Sequence, residues 1–204
     1  MGLGVNARRV GVVLSTLVAV AACGGGPSPA PGPGTTSGIA PDLRGRRVLI
    51  LPVQQNLGVR GEPDAEIIFG LRERRAEVDW ILPAEIDEML RRSPGVRSST
   101  RGLPVGQFLT AEVRRVGDPL YGDLRRLSAL VDADAVLIPV QTSLESDAVA
   151  GTTVRLWTAL IEVRTGRVLW YSVLDGDVYP SADPRGLASA VDIMARSLLW
   201  YAGA

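Results

Sequence analysis

The chain has 204 residues, 22 basic and 22 acidic side chains, one cysteine and no histidine, and every basic residue is arginine. Without His or Lys there is no Ser-His-acid or Cys-His arrangement, no Ser-Lys dyad, no Schiff-base lysine, no P-loop and almost no route to a zinc site, and one cysteine leaves no intrachain disulfide. The charge balance offers no basic face for nucleic acid and no polybasic membrane patch.

Residues 1–22 open with Arg8 and Arg9 and no acid, continue through an apolar stretch from Val10 to Val20, and close on two alanines. That is the pattern of a secretory signal, and the stretch is too short for a spanning helix, which needs about 20 residues. Residues 24–42 are mostly Gly, Pro, Ser and Thr. They read as a flexible to semi-extended tether that reaches roughly 60 Å at about 3.1 Å per residue in polyproline form. Removing residues 1–22 takes Arg8 and Arg9 and no acid, leaving a net charge of −2.

Residues 43–204 are long enough to form a single domain. Residues 48–53, Val-Leu-Ile-Leu-Pro-Val, predict a strand buried on both faces, with Pro52 near its end. The pattern predicts a helix over 64–75, a strand over 78–82 and a helix over 83–92. In the last, Pro83 suits the first position, with acids early, arginines late and Ser93-Pro94-Gly95 as the stop. Within 96–117 only 107–116 reads as a short helix. Asp118-Pro119 opens a helix with Pro119 at its first position and Leu120, Leu124, Leu127 and Val131 on one stripe. Strands follow over 133–144, 152–163 and 167–174, the last two joined by a tight turn at Thr165-Gly166, and a helix over 183–201 closes the chain. The expected fold is α/β, a single mixed sheet of about five strands, parallel and antiparallel, covered by helices.

Only carboxylate chemistry survives the missing residue types. Glu85, Asp87 and Glu88 lie in a first helical turn, Asp132 and Asp134 straddle a helix-to-strand junction, and Asp175 and Asp177 flank a glycine after a strand. Dipole matching, capping and turn chemistry account for them, so no catalytic, metal or cofactor site is assigned. The arginine pairs 74/75, 91/92, 114/115 and 125/126 read as exposed helix faces or as anion-binding patches. Among the aromatics, alternation places Trp170 and Tyr171 on opposite faces of a strand, and Trp200 and Tyr201 close the chain. These four form the candidate partner surface, since a solvent-facing aromatic can anchor an interface. Helices over both sheet faces would bury them instead.

Val20-Ala21-Ala22-Cys23 resembles the lipobox of bacterial lipoproteins. The resemblance implies cleavage before Cys23, diacylation of its thiol and acylation of the new amino terminus. Stable attachment takes more than one acyl chain. Gly24, where an Asp would retain a lipoprotein at the inner membrane, implies the outer membrane. Three further stretches, Arg-Arg-Val-Leu-Ile-Leu-Pro-Val-Gln from Arg46, Leu124–Gln141 and Thr158–Gly176, resemble the group formed by the TolB amino-terminal domain, CsgG and LpoB. That resemblance implies a mixed α/β domain that binds other envelope proteins and does no chemistry. No family binding site maps onto these motifs, Pro139 stands where the family strand often ends in Gly, and no hairpin suits a CsgG-like pore. The expected organisation is a signal peptide over 1–22, an acylated Cys23 with its tether over 23–42, and one domain over 43–204. The expected function is a periplasmic binding or assembly lipoprotein. A carrier of a small or lipidic ligand and a carboxylate-dependent cell-wall hydrolase stand as alternatives.

Overall fold

A computed structural model describes Met1 and residues 31–32, 34–147, 151–180 and 183–202. Cys23 and the expected signal segment lie outside the described residues. The elements run β1 (Arg47–Ile50), β2 (Gln55–Leu57), α1 (Pro63–Glu73), β3 (Asp79–Ile81), α2 (Pro83–Arg92), α3 (Gln107–Thr110), α4 (Leu120–Val131), β4 (Ala135–Asp147), β5 (Gly151–Glu162), β6 (Val168–Asp175) and α5 (Pro184–Leu198). They build one mixed sheet in the order β3-β1-β4-β5-β6, with β2 also paired to β4. β1 is parallel to β3 and β4, and the β4-β5-β6 meander is antiparallel.

The apolar run of β1 is buried on both sides because helices cover both sheet faces. Val48 and Ile50 join one core with Ile67 and Leu71 of α1 and Leu187, Val191, Met194 and Leu198 of α5. Leu49 joins the other with Ile86 of α2, Phe108 of α3 and Leu120, Leu124 and Leu127 of α4. Alternation along β4 feeds both cores, with Ala135 and Leu137 on the first side and Val136, Ile138 and Val140 on the second.

Two prolines decide how the sheet bends. Pro139 lies inside β4, where a missing N–H is tolerated at a bulge, and the register on β5 slips between Pro139 and Gln141. The extra residue inverts the alternation, so Leu144 returns to the α1–α5 side. Pro52 interrupts the neighbouring strand at the same level. Leu51 N–H donates to the Leu137 carbonyl and Gln54 N–H to the Pro139 carbonyl, both at 3.0 Å, and the chain resumes pairing as β2. β2 escaped the sequence pattern because all three of its residues are exposed, so it carries no alternating apolar signal.

Several local expectations shift. The β5–β6 turn is longer than a two-residue hairpin: Glu162 N–H donates to the Arg167 carbonyl at 2.9 Å, leaving four residues in the loop. The Thr165 hydroxyl is drawn back onto the Glu162 carboxylate, and Gly166 adopts the expected positive φ of 70°. Over 107–116 only α3 is helical. Ala111 is extended, and beyond it Val116 N–H donates to the Gly166 carbonyl (2.8 Å) while the Arg114 carbonyl accepts from Val168 N–H (2.9 Å). Pro119 stands at the N-cap of α4, one place before the expected position, and Asp118 Oδ1 accepts from Gly122 N–H.

The described end of the expected tether lies against the domain. Gly34 N–H donates to the Val173 carbonyl, Val173 N–H to the Thr35 carbonyl and Ser37 N–H to the Tyr171 carbonyl, at 2.8–2.9 Å. Residues 34–37 thus run antiparallel along the outer edge of β6, Thr36 opposite Ser172. Ala40 and Leu43 are buried, so contact with the core begins before residue 43.

Candidate functional site

In open α/β sheets, ligands sit beyond the carboxyl ends of the parallel strands where the strand order reverses. Here that place is the end of β1, beside β4, and the chain fills it with its own 99–105 loop. The Gln54 amide holds the plug with two hydrogen bonds, Nε2 donating to the Thr100 carbonyl (2.9 Å) and Oε1 accepting from Leu103 N–H (3.0 Å), while Nε2 also donates to the Pro52 carbonyl (2.7 Å). Asp64 ties the other side, accepting from Val53 N–H at 2.7 Å and pairing with Arg101 at 2.7 Å. Thr100, Leu103 and Val105 are buried, so the loop is part of the packed interior.

The carboxylates weighed for chemistry are spread over the fold, and all are engaged except that of Asp177, which is exposed and has no partner among the described residues, while its backbone N–H donates to the Ser189 hydroxyl at 2.8 Å. Asp175 pairs across the strands with Arg155, Nε to Oδ1 at 2.7 Å and Nη2 to Oδ2 at 3.0 Å, and this bond holds the guanidinium pKa above its ordinary value. Glu145 approaches the same arginine at 3.4 Å. Asp134 Oδ2 accepts from Arg47 N–H at 3.0 Å, and Asp132 ends α4 in the left-handed region beside the Arg47 guanidinium. Glu85 accepts from Leu82 N–H at the start of α2, Asp87 accepts from the Thr100 hydroxyl at 2.8 Å, and Glu88 pairs with Arg91 and Arg92. Among the described residues no group of three or more His, Cys, Asp or Glu side chains is placed to hold a metal.

The arginine pairs separate as well. Arg74 pairs with Asp192, Arg126 with Asp123 at 2.6 Å, and Arg125 stacks over Tyr121. Arg115 pairs through its backbone with Arg167. Arg114 approaches Glu112 at 3.9 Å, so among the described residues at least one guanidinium of each pair is engaged by a carboxylate or a ring.

The four aromatics divide two and two. Trp170 is fully buried in the α1–α5 core, and Tyr171 is buried in the opposite core, which takes both off the candidate partner surface. They face opposite ways, as alternation predicts, but both sheet faces are roofed by helices. Tyr171 stacks on Phe108 and donates its hydroxyl to the Phe108 carbonyl at 2.8 Å, and burial pushes its phenol well above the ordinary tyrosine range. Trp200 is 57% exposed and Tyr201 partly so. Their rings pack edge to face with centroids 5.8 Å apart. Trp200 Nε1–H donates to the Ala40 carbonyl at 2.8 Å, and the Tyr201 hydroxyl accepts from Leu43 N–H at 3.2 Å. The guanidinium of Arg44 covers the Tyr201 ring at 5.3 Å. The closing pair thus latches the incoming chain at residues 40–44 and leaves much of one indole in solvent. Ile39, 81% exposed, precedes the latched Ala40. Sequence reasoning missed this latch because nothing in a Gly/Pro/Ser/Thr-rich stretch marks Ala40 as a core residue, while Leu43 opens the expected domain.

Surface hollows among the described residues range from about 250 to about 760 Å³. An apolar one of about 250 Å³ lies among Val59, Leu144, Val154, Pro184 and Leu187 at the hairpin end of the sheet. A wider open groove runs between α1 and α5, with Phe69 exposed beside it. No helix among the described residues is long and apolar enough to cross a membrane.

No family model and no curated protein matches this chain. Among solved structures it is similar to the LpoB C-terminal domain from Salmonella enterica, at 16% identity and a TM-score of 0.42 over 68% of this chain and 84% of that one. It is also similar to lipoprotein GNA1162 from Neisseria meningitidis, at 16% identity and a TM-score of 0.46 over 74% and 96% of the two chains. A PelC dodecamer from Paraburkholderia phytofirmans gives 16% identity and a TM-score of 0.44 over 81% and 96%.

Proposed function

We propose that this chain is a lipid-anchored accessory protein of the bacterial envelope, held at the outer membrane and facing the periplasm, that binds another envelope protein and catalyses no reaction. The observation that carries it is the position of the lone thiol. Cys23 closes Val20-Ala21-Ala22-Cys23 behind a short apolar stretch and is followed by a Gly/Pro-rich segment. Diacylation there, with an acylated amino terminus, gives several acyl chains, enough for stable attachment at about 0.8 kcal/mol per buried CH₂.

The remaining chemistry supports a binding role. Apart from the exposed Asp177, the carboxylates weighed for hydrolysis are taken up in hydrogen bonds and ion pairs, the crevice at the end of β1 is filled, and Trp200 is, of the four candidate aromatics, the exposed one available as a partner anchor. The apolar hollow of about 250 Å³ is smaller than the roughly 300–1,000 Å³ usual for small-molecule sites, and the hollows that reach that size, about 760 Å³ between α1 and α5 and about 630 Å³ beside Val96 and Leu130, are open grooves and not enclosed cavities.

Cys23→Ala tests the anchor. The variant is expected to leave the membrane fraction for the soluble one, and a variant that stays bound through high-salt washing overturns the lipoprotein reading. Crosslinking in intact envelopes then identifies the partner. Turnover of a cell-wall polymer that a single Asp→Asn change abolishes would overturn the non-catalytic reading.

A further inference from the structure

The outer edge of β6 is covered in two unlike ways. Near its start the cover is residues 114–116, where Val116 is buried in the α2–α4 core. Near its end the cover is residues 34–37, Gly-Thr-Thr-Ser, which place no side chain in either core and leave Thr36 exposed. Three backbone hydrogen bonds attach this strap. It hangs between Gly34 and Gly38, with φ of 76° and 73°, a region open to glycine at little cost, so both ends can pivot. Immediately after it, the latch of Trp200 and Tyr201 on residues 40–43 holds the chain to the core. The strap can therefore leave while the rest of the domain stays closed.

We propose that residues 34–37 are a displaceable edge strand, and that an extended segment of the partner protein adds to β6 in their place. Strand addition draws affinity from main-chain hydrogen bonds and specificity from alternate side chains. The outward groups at Tyr171 and Val173 supply the first, and the strap sets the direction as antiparallel. Ser172 supplies the second. It is fully buried, its hydroxyl has no hydrogen-bond partner among the described residues, and it faces the central strap position. The incoming segment must carry a small residue there, preferably Ser or Thr.

Displacement also changes reach, a consequence that rests on the lipid-anchor reading although the strand site does not. With the strap docked, eleven residue steps lead from Cys23 to Gly34, at most roughly 36–40 Å of extended chain. With it displaced, seventeen residue steps lead from Cys23 to Ala40, at most roughly 56–61 Å. Capture of the partner would let the domain stand about 20 Å farther from its anchor.

The test uses the full chain in detergent carrying Ser172→Cys, probed with a synthetic peptide of residues 31–40 carrying Thr36→Cys. Thr36 and Ser172 oppose each other without exchanging hydrogen bonds, a pairing with Cα atoms about 4.5 Å apart that accepts a disulfide. A peptide adduct is expected. Adding Ser37→Pro to the chain's own strap removes one edge hydrogen bond and should raise the yield by about two- to tenfold. The same chain with Ser172 intact measures reaction at Cys23 alone. No adduct above that control in either chain, or equal yield with a scrambled peptide, overturns the proposal. Loss of the lipid anchor would show separately, as failure to sediment with membranes, and would leave the adduct unchanged.

Discussion

Trp200 does two jobs that substitution can separate. Its indole N–H fastens Ala40, and its exposed face is available to a partner. Somewhat under half of the side chain is covered, about 100 Å² of a large aromatic, worth about 2.5 kcal/mol at 25 cal/mol per Å². The hydrogen bond to Ala40 adds about 1 kcal/mol. Because the unfolded chain already covers part of that area, Trp200→Ala should cost about 2–3 kcal/mol and Trp200→Phe, which keeps the ring face, about 1 kcal/mol. For a domain of this size each kcal/mol lowers Tm by about 2–4 °C. Thermal denaturation followed by far-UV circular dichroism reads the difference. Hydrogen exchange at the Leu43 amide, bonded to the Tyr201 hydroxyl, reads the latch itself. If neither variant lowers Tm or Leu43 protection, the latch is not a stabilising contact. In envelope crosslinking, Trp200→Ala should lose partner capture and Trp200→Phe should keep part of it. Equal capture by both variants and the unmodified chain removes Trp200 from the partner surface.

Gly166→Val should destabilise by roughly 1–3 kcal/mol, because φ is 70° and a Cβ there would lie 3.0 Å from the Tyr121 ring and 3.1 Å from the Val116 carbonyl; calorimetry giving no loss would mean the loop can take another form. Tyr171→Phe should cost about 1 kcal/mol near neutral pH through the lost bond to Phe108. The folded phenol is pushed up by burial while the unfolded one ionises near 10, so stability is intact below about pH 10 and falls as pH rises toward the folded value. Urea unfolding from pH 8 to 11 should show a shallower alkaline loss for Tyr171→Phe, and parallel losses in the two proteins would refute the burial argument.

The periodic elements were legible because their signal is local. Leu120, Leu124, Leu127 and Val131 mark α4, and Pro83 with Ser93-Pro94-Gly95 brackets α2. The mixed sheet followed from helices between the early strands and a Thr-Gly turn between the late ones. What stayed hidden depends on distant partners. β2 has no pattern of its own and exists because β4 extends past the Pro139 bulge with an edge to spare. Residues 34–37 read as tether because pairing with β6 uses only their backbone. The candidate surface was half legible. Alternation orients Trp170 and Tyr171 correctly, but the burial of both depends on α5 on one side and on α3 and α4 on the other.

β4 pairs with β1, β2 and β5, yet it comes late in the chain: Val48 waits for Ala135. Joining strands so far apart in sequence is slow, because the loop must close before the contact repays it. The β4-β5-β6 meander and α5 are neighbours in sequence and can assemble first. A chain that emerges amino end first therefore presents the apolar run of β1 with only the three-residue β3 to pair with until residues beyond 135 have followed. The same order makes the domain indivisible, since a truncation ahead of β4 leaves β1 and β3 with no sheet to join.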